Sequence, residues 1–210
     1  MKNAKRLAAL FLTAAVLLTA GCGRKTVTSQ NSVWFIAKST NTEFWKSAFA
    51  GANVAKSEYN VDLTICGPET EEDYEEQNRL IDEAVAAGAD AIVYSAISYT
   101  KNAEAITRAA KQGLKIAVID SDVDSDGVGV RIGTDNVEAG RMAGRAALQT
   151  DWASLTVGIV NFDLGSRNGQ ERESGFREAL AGDPRVKDIY TINVNADATT
   201  AQVRTVQLLV

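Results

Sequence analysis

The feature that most constrains this chain is an alternation that recurs from Val33 onward. A short, nearly continuous apolar run is followed each time by an amphipathic helical stretch. The runs Val33–Lys38, Ala91–Ser95 and Lys115–Ile119 lack the in/out alternation of a half-exposed strand. Strands read this way when both faces are covered, as in a parallel sheet with helices on either side. Val61–Ile65 is a more mixed member of the series. Helical patterns fill the gaps at Glu43–Glu58, Glu71–Ala87 and Lys101–Gln112. The second carries Tyr74, Gln77, Ile81, Ala84 and Val85 down one face, with Glu71, Glu72 and Asp73 in its first turn, where negative charge suits the helix dipole. Gly88 and Gly113 stand where the second and third helices should end.

A fifth run, Gly129–Gly133, leads through "TDN" into a helix over Val137–Leu148. The pattern then restarts with strand Leu155–Asn161, helix Gln170–Ala181, strand Val186–Val194 and helix Thr199–Val210. The expectation is an α/β fold of two doubly wound parallel-sheet domains, residues 33–134 and, with the crossover, residues 135–210. The second has two strands where such a sheet usually has about five or six. It is therefore expected to be incomplete, and the chain to be a fragment of a longer protein.

The first 22 residues predict a targeting segment rather than part of the fold. Lys2, Lys5 and Arg6 precede the apolar stretch Leu7–Ala20, which is too short to span a bilayer comfortably. It ends in "LLTAGC", and small residues before Cys22 resemble a bacterial lipoprotein signal in which that cysteine is lipidated. An ordinary secretory signal with an incidental cysteine is the plainer alternative. Residues 23–32, "GRKTVTSQNS", then form a polar tether. The other cysteine, Cys66, reads as a small hydrophobe near the end of a strand.

Charge and composition narrow the function. The net charge is −5, against a nucleic-acid partner, which needs clustered basic residues. Histidine is absent, so a Ser–His or Cys–His nucleophile cannot be built and the commonest zinc ligand is missing. The segment "DVDSDG", Asp122–Gly127, matches the start of a calcium loop, but its twelfth position is Gly133 rather than the bidentate Glu, and it lies between strands.

In open parallel sheets, ligands bind beyond the carboxyl ends of the strands. The loops to inspect are therefore "STNTEFW", "SAIS", "DSDVDSDG", "FDLGSRNGQER" and "NADATT". Their joint content of hydroxyls, amides, carboxylates and aromatics suits a polar, neutral ligand. In order and spacing, "STNTEFW", "AAGADAIVYS", "KIAVIDSD", "IGTDNVEAGRMAG" and "ERESGFREAL" resemble the type I periplasmic sugar-binding proteins, the ribose- and galactose-binding group that shares its core with lac-repressor-type regulators. The resemblance covers residues 33–210.

It implies two domains joined by crossing segments, with the ligand in the cleft. Phe44 and Trp45 match aromatics that stack on a sugar ring, whose C–H face is apolar. Thr42 stands where asparagine is frequent. Asp120 matches an acceptor for sugar hydroxyls, and Ser121 stands where ribose-like members often carry arginine. Asp135 and Asn136 match the crossover "DN", and Arg172 a ligand-contacting arginine of the second domain. Near Ala196 an aromatic is frequent and none is present. Each role has a plainer rival. Phe44 and Trp45 can be the buried face of their helix, Asp120 a turn residue, and Arg172 a surface partner of Glu171 or Glu173. The resemblance calls for no cofactor and no metal.

The function so implied is a lipid-anchored, extracytoplasmic solute-binding protein. It would hand a sugar, polyol or similar small molecule to an ABC permease, by hinge closure and without chemistry. The competing readings are a ligand-sensing module for a membrane receptor and a glycoside-acting enzyme using two of Asp120, Asp135 and Asp163. A DNA-binding regulator would need a helix-turn-helix where the signal segment stands.

Overall fold

A computed structural model of the chain describes residues 30–162, 164–194 and 205. Apart from residue 205, the predicted helix over residues 199–210 lies outside the described residues, as do Cys22, Asp163 and Ala196.

The first five strands are β1 Ser32–Ile36, β2 Asp62–Cys66, β3 Ala91–Tyr94, β4 Lys115–Ile119 and β5 Val128–Ile132. They form one parallel sheet in the order β2-β1-β3-β4-β5. Three helices connect them: α1 Glu43–Tyr59, α2 Tyr74–Ala86 and α3 Ala103–Lys111. The main core is the α2/α3 side of the sheet, where Ile36, Ile92, Tyr94, Ile116 and Val118 meet Leu80, Ile81, Ala84, Ile106 and Ala109. Val33, Phe35, Val93 and Ile119 point to the other side, where α1 packs through Trp45, Ala48 and Ala52. Gly88 and Gly113 both take positive φ, 72° and 100°, the left-handed conformation expected just past a helix end.

The structure corrects the start of α2. The helix begins at Tyr74 rather than Glu71, because the Asp73 carboxylate caps it by accepting from the Glu76 N–H at 2.9 Å. Glu71 lies in the preceding turn and does a different job, described below.

Past β5 come α4 Asn136–Ala147, β6 Leu155–Phe162, α5 Arg167–Leu180 and β7 Val186–Val194. β6 and β7 pair in parallel as a second sheet. α4 and α5 lie backbone to backbone. A Cβ placed at Gly175 would stand 1.9 Å from the Val137 carbonyl oxygen, and one at Gly140 would stand 2.1 Å from that of Arg172. Only hydrogen at these Cα atoms permits so close an approach. Arg185, held by Asp183, donates to the carbonyls of Thr150 and Leu148 beyond the end of α4.

Candidate functional site

The carboxyl ends of β1, β3 and β4 are adjacent, so the residues just beyond them form a row: Lys38, Ser95 and Asp120. Two buried amides hold this edge. Gln77 of α2 donates to the carbonyls of Ala37 and Ser95 at 3.0 and 2.7 Å. Its own carbonyl accepts from the Tyr94 hydroxyl and the Ile97 N–H at 2.7 and 3.0 Å. Asn102 fastens the next loop, accepting from the Ser98 N–H and donating to the Tyr74 carbonyl and Asn78. Fully satisfied buried networks of this kind fix geometry, because every alternative leaves a polar group unpaired in low dielectric.

Asp120 occupies the left-handed region, φ 59°, rare for a non-glycine residue. The Ser95 hydroxyl donates to its Oδ2 at 3.2 Å, and Lys38 Nζ stands 3.9 Å from the same oxygen. Lys38 is 2% exposed. Across from this row lie the end of β6 and the start of α5. Asn168 Nδ2 is 3.5 Å from Asp120 Oδ1, and the Phe162 ring centroid is 5.9 Å from Lys38 Nζ. At the rim the Tyr99 N–H donates to the Gly165 carbonyl at 2.9 Å. The Arg167 guanidinium, aligned by Glu171, lies 4.9 Å from the centre of the Tyr99 ring. Asn168 and Phe162 also line a cavity of about 420 Å³ that runs along Gly158–Phe162, on the edge of β6 away from β7. The two sheets thus face each other through polar groups at their carboxyl ends.

The residues singled out in the sequence divide sharply. Trp45 is a correction: it is 1% exposed, packs edge-on against Phe35, and donates its indole N–H to Glu71 Oε1 at 2.8 Å. Its helical position turns it onto the sheet, so its face is not open to a ligand. Phe44, one residue earlier, is 60% exposed and stands edge-on to Trp45. Thr42 caps α1, its hydroxyl accepting from the Trp45 N–H at 3.4 Å. Asp135 is likewise an exposed cap, on α4, accepting from the Glu138 N–H at 2.9 Å. Arg172 Nε donates to Asn136 Oδ1 at 2.8 Å and so ties α5 to α4. It lines the β6 cavity, but Asn168 rather than Arg172 reaches Asp120. Ser121 is buried beside Asp120, and its hydroxyl meets no hydrogen-bond partner among the described residues.

Sequence reasoning missed Lys38, Ser95 and Asn168 as a set, and Gln77 as the clamp. Signals were present. Lys38 is a charge at the end of an apolar run, and Gln77 is a polar residue on the apolar face of α2. In the calcium-like segment, Asp122 pairs with Arg131 at 2.9 Å, and the Asp124 carboxylate accepts from the Tyr99 hydroxyl at 3.4 Å. Cys66 is half-buried, and burial together with nearby Glu83 pushes its thiol up to about 11. Among the described residues no helix is long and apolar enough to cross a membrane.

The family described as periplasmic binding protein domain matches residues 33–210. The chain belongs to that family. Among curated relatives of this periplasmic binding protein is a D-apiose import binding protein from Paraburkholderia graminis, 24% identical over 207 residues, 96% of this chain and 63% of the relative. A D-ribose/D-allose-binding protein from Pseudomonas aeruginosa is 25% identical over 84% of this chain and 60% of its own length. Among solved structures, a carbohydrate transporter solute-binding protein from Agrobacterium radiobacter, in complex with D-arabinose, superposes with a TM-score of 0.81. It is 26% identical, over 87% of this chain and 63% of that one. The chain therefore spans about six-tenths of the length of these relatives. The α/β architecture expected from the sequence is that of this family.

Proposed function

We propose that this periplasmic binding protein takes a sugar or small polyol between its two α/β units, as the extracytoplasmic binding component of an ABC-type importer. The observation that carries the proposal is the polar seam itself. Lys38, Ser95 and Asp120 at the carboxyl edge of one sheet stand opposite Phe162 and Asn168 at the carboxyl end of the other, with Asn168 Nδ2 3.5 Å from Asp120 Oδ1. A carboxylate, an ammonium, a hydroxyl and an amide accept and donate as sugar hydroxyls require, and Phe162 and exposed Phe44 offer apolar faces for C–H groups. The arrangement holds a ligand without reacting with it. Asp120 is set beside an ammonium and an amide, and Asp135 is committed to capping, so no carboxylate pair for glycoside hydrolysis is assembled from these two. The names of the relatives, which bind apiose, ribose or allose, and arabinose, support the ligand class.

The test is calorimetric titration of the chain with D-ribose, D-allose, D-arabinose and D-apiose. Saturable binding of at least one sugar that Asp120→Ala abolishes is expected. Saturable binding that Asp120→Ala leaves intact would move the site elsewhere. The anchor belongs to the same reading. Cys22 in "LLTAGC" is acylated and holds the protein at the outer side of the cytoplasmic membrane. Cys22→Ser should release it to the soluble fraction, and equal partitioning of both forms would refute the anchor.

A further inference from the structure

α5 opens on the single Asn–Gly pair of the chain, Asn168–Gly169. Such a pair is prone to cyclise, because glycine has no side chain to hinder its own nitrogen as that nitrogen approaches the asparagine carboxamide. A helix ordinarily protects the pair by engaging the nitrogen in a hydrogen bond. Here that protection is missing. Gly169 is the third residue of the first turn, where no intrahelical acceptor exists and the N-cap side chain usually supplies one. The N-cap is Ser166, which makes no side-chain cap, and its buried hydroxyl meets no partner among the described residues. The Gly169 N–H donates instead to Oδ1 of Asn168 itself at 3.0 Å, which sets the nitrogen beside the carboxamide it would attack. Both residues line the cavity of about 420 Å³ beside β6, which leaves room for water at the pair.

We propose that Asn168–Gly169 is a site of spontaneous modification, and that conversion of its amide to a carboxylate switches the seam off. Gly169 N gives its proton to solvent base and bonds to Asn168 Cγ, and the side-chain nitrogen leaves as ammonia. Water then opens the cyclic imide at the side-chain carbonyl, giving aspartate, or at the main-chain carbonyl, giving isoaspartate. No electron is transferred, and water is the sole co-reactant. Ring closure requires Asn168 to leave its helical ψ, which the first turn permits because its N–H groups hold no intrahelical bonds. The amide that converts is the one whose Nδ2 stands 3.5 Å from Asp120 Oδ1. Conversion replaces a donor across the seam by a second carboxylate, and two carboxylates this close repel each other. That the change stops sugar binding rests on the reading of the seam as a sugar site; the chemical step does not.

The experiment ages the folded chain in warm, mildly alkaline buffer, beside the same chain in urea. Peptide mapping follows residue 168, and calorimetric titration with D-ribose, D-allose, D-arabinose and D-apiose follows the fraction of chains that bind sugar. Folded wild type should accumulate aspartate and isoaspartate at position 168 ahead of every other asparagine among the described residues, and the binding fraction should fall in step. Asn168→Asp should bind the preferred sugar at least about tenfold more weakly before any ageing, as expected when a hydrogen bond to a charged group gives way to repulsion. Gly169→Ala, or Asn168→Gln should that variant not fold, should keep its side-chain amide through the same ageing. An intact Asn168 in the aged folded chain overturns the site, and conversion of the same residue in urea would then assign the protection to the fold. Conversion without loss of binding, or wild-type affinity in Asn168→Asp, overturns the switch. Absence of sugar binding in the unaged wild type overturns the sugar reading and the switch with it, whereas the conversion at position 168 is still decided by the mapping.

Discussion

Replacing Trp45 by alanine separates the two roles that "STNTEFW" admits. The indole is 1% exposed, meets Phe35 edge-on at 6.4 Å and Phe44 at 4.9 Å between centroids, and hydrogen-bonds Glu71. Emptying a core site of an aromatic this size costs about 3–5 kcal/mol. The lost bond to a carboxylate falls within that figure, since it disappears with the ring. Against a total of about 5–15 kcal/mol for a domain, this is a large fraction. Urea unfolding followed by circular dichroism should show a much lower midpoint for Trp45→Ala, with an unchanged slope. Trp45→Phe isolates the hydrogen bond together with the smaller ring, and should cost about 1.5–3 kcal/mol. Sugar affinity, measured at a temperature where the variant is folded, should stay close to wild type, because the indole faces the sheet. Phe44→Ala should show the converse, little change in stability and weaker binding. A Trp45→Ala chain that unfolds like wild type but no longer binds sugar would refute the assignment of this side chain to the core.

The other predictions concern packing, titration and the rim. Gly175→Ala should destabilise the second unit by about 1–3 kcal/mol or more, since the new methyl would sit 1.9 Å from a backbone oxygen that cannot yield. Gly51→Ala in α1, where a Cβ meets nothing within 4 Å, should instead stabilise by about 0.5–1 kcal/mol in the same denaturation assay. The folded state raises the Cys66 thiol from 9.0 to about 11, so it disfavours the thiolate. The stability linked to this group is intact below pH 9 and is lost as pH rises through about 11. Iodoacetamide at pH 8 should therefore label Cys66 slowly unless urea is present, and wild type should lose stability above pH 9 more steeply than Cys66→Ala. Arg167→Ala removes the guanidinium from the Tyr99 ring, an interaction of about 0.5–1 kcal/mol. Distances between spin labels placed on the two units should shift toward wider separations, and an unchanged distribution would show that this contact does not hold the rim.

The sequence by itself determined the elements and their class. Buried parallel strands must be apolar on both faces, so β1, β3 and β4 announce themselves as runs, and the glycines past α2 and α3 mark ends that only a left-handed residue allows. The rule that ligands gather beyond strand carboxyl ends also pointed to the loops that carry the polar seam, and Asp120 lies in it. What the pattern could not supply was direction. Phe44 and Trp45 are neighbours in the chain and of similar character, and about 100° of helical rotation places one in solvent and the other in the core. Arg172 and Asn168 lie four residues apart on α5. One was claimed by Asn136, through the glycine-permitted contact of α4 with α5, while the other reached Asp120. Glu71 looked like a helix-dipole residue and became the acceptor for an indole 26 positions earlier. Lys38, Ser95 and Asp120 are scattered over more than eighty positions, and the strand order β1-β3-β4 makes them neighbours. Local propensity and periodicity act over a few residues and are written in the chain. Which polar groups end up within 4 Å of one another depends on strand order and helix rotation, and only the packed tertiary structure decides those.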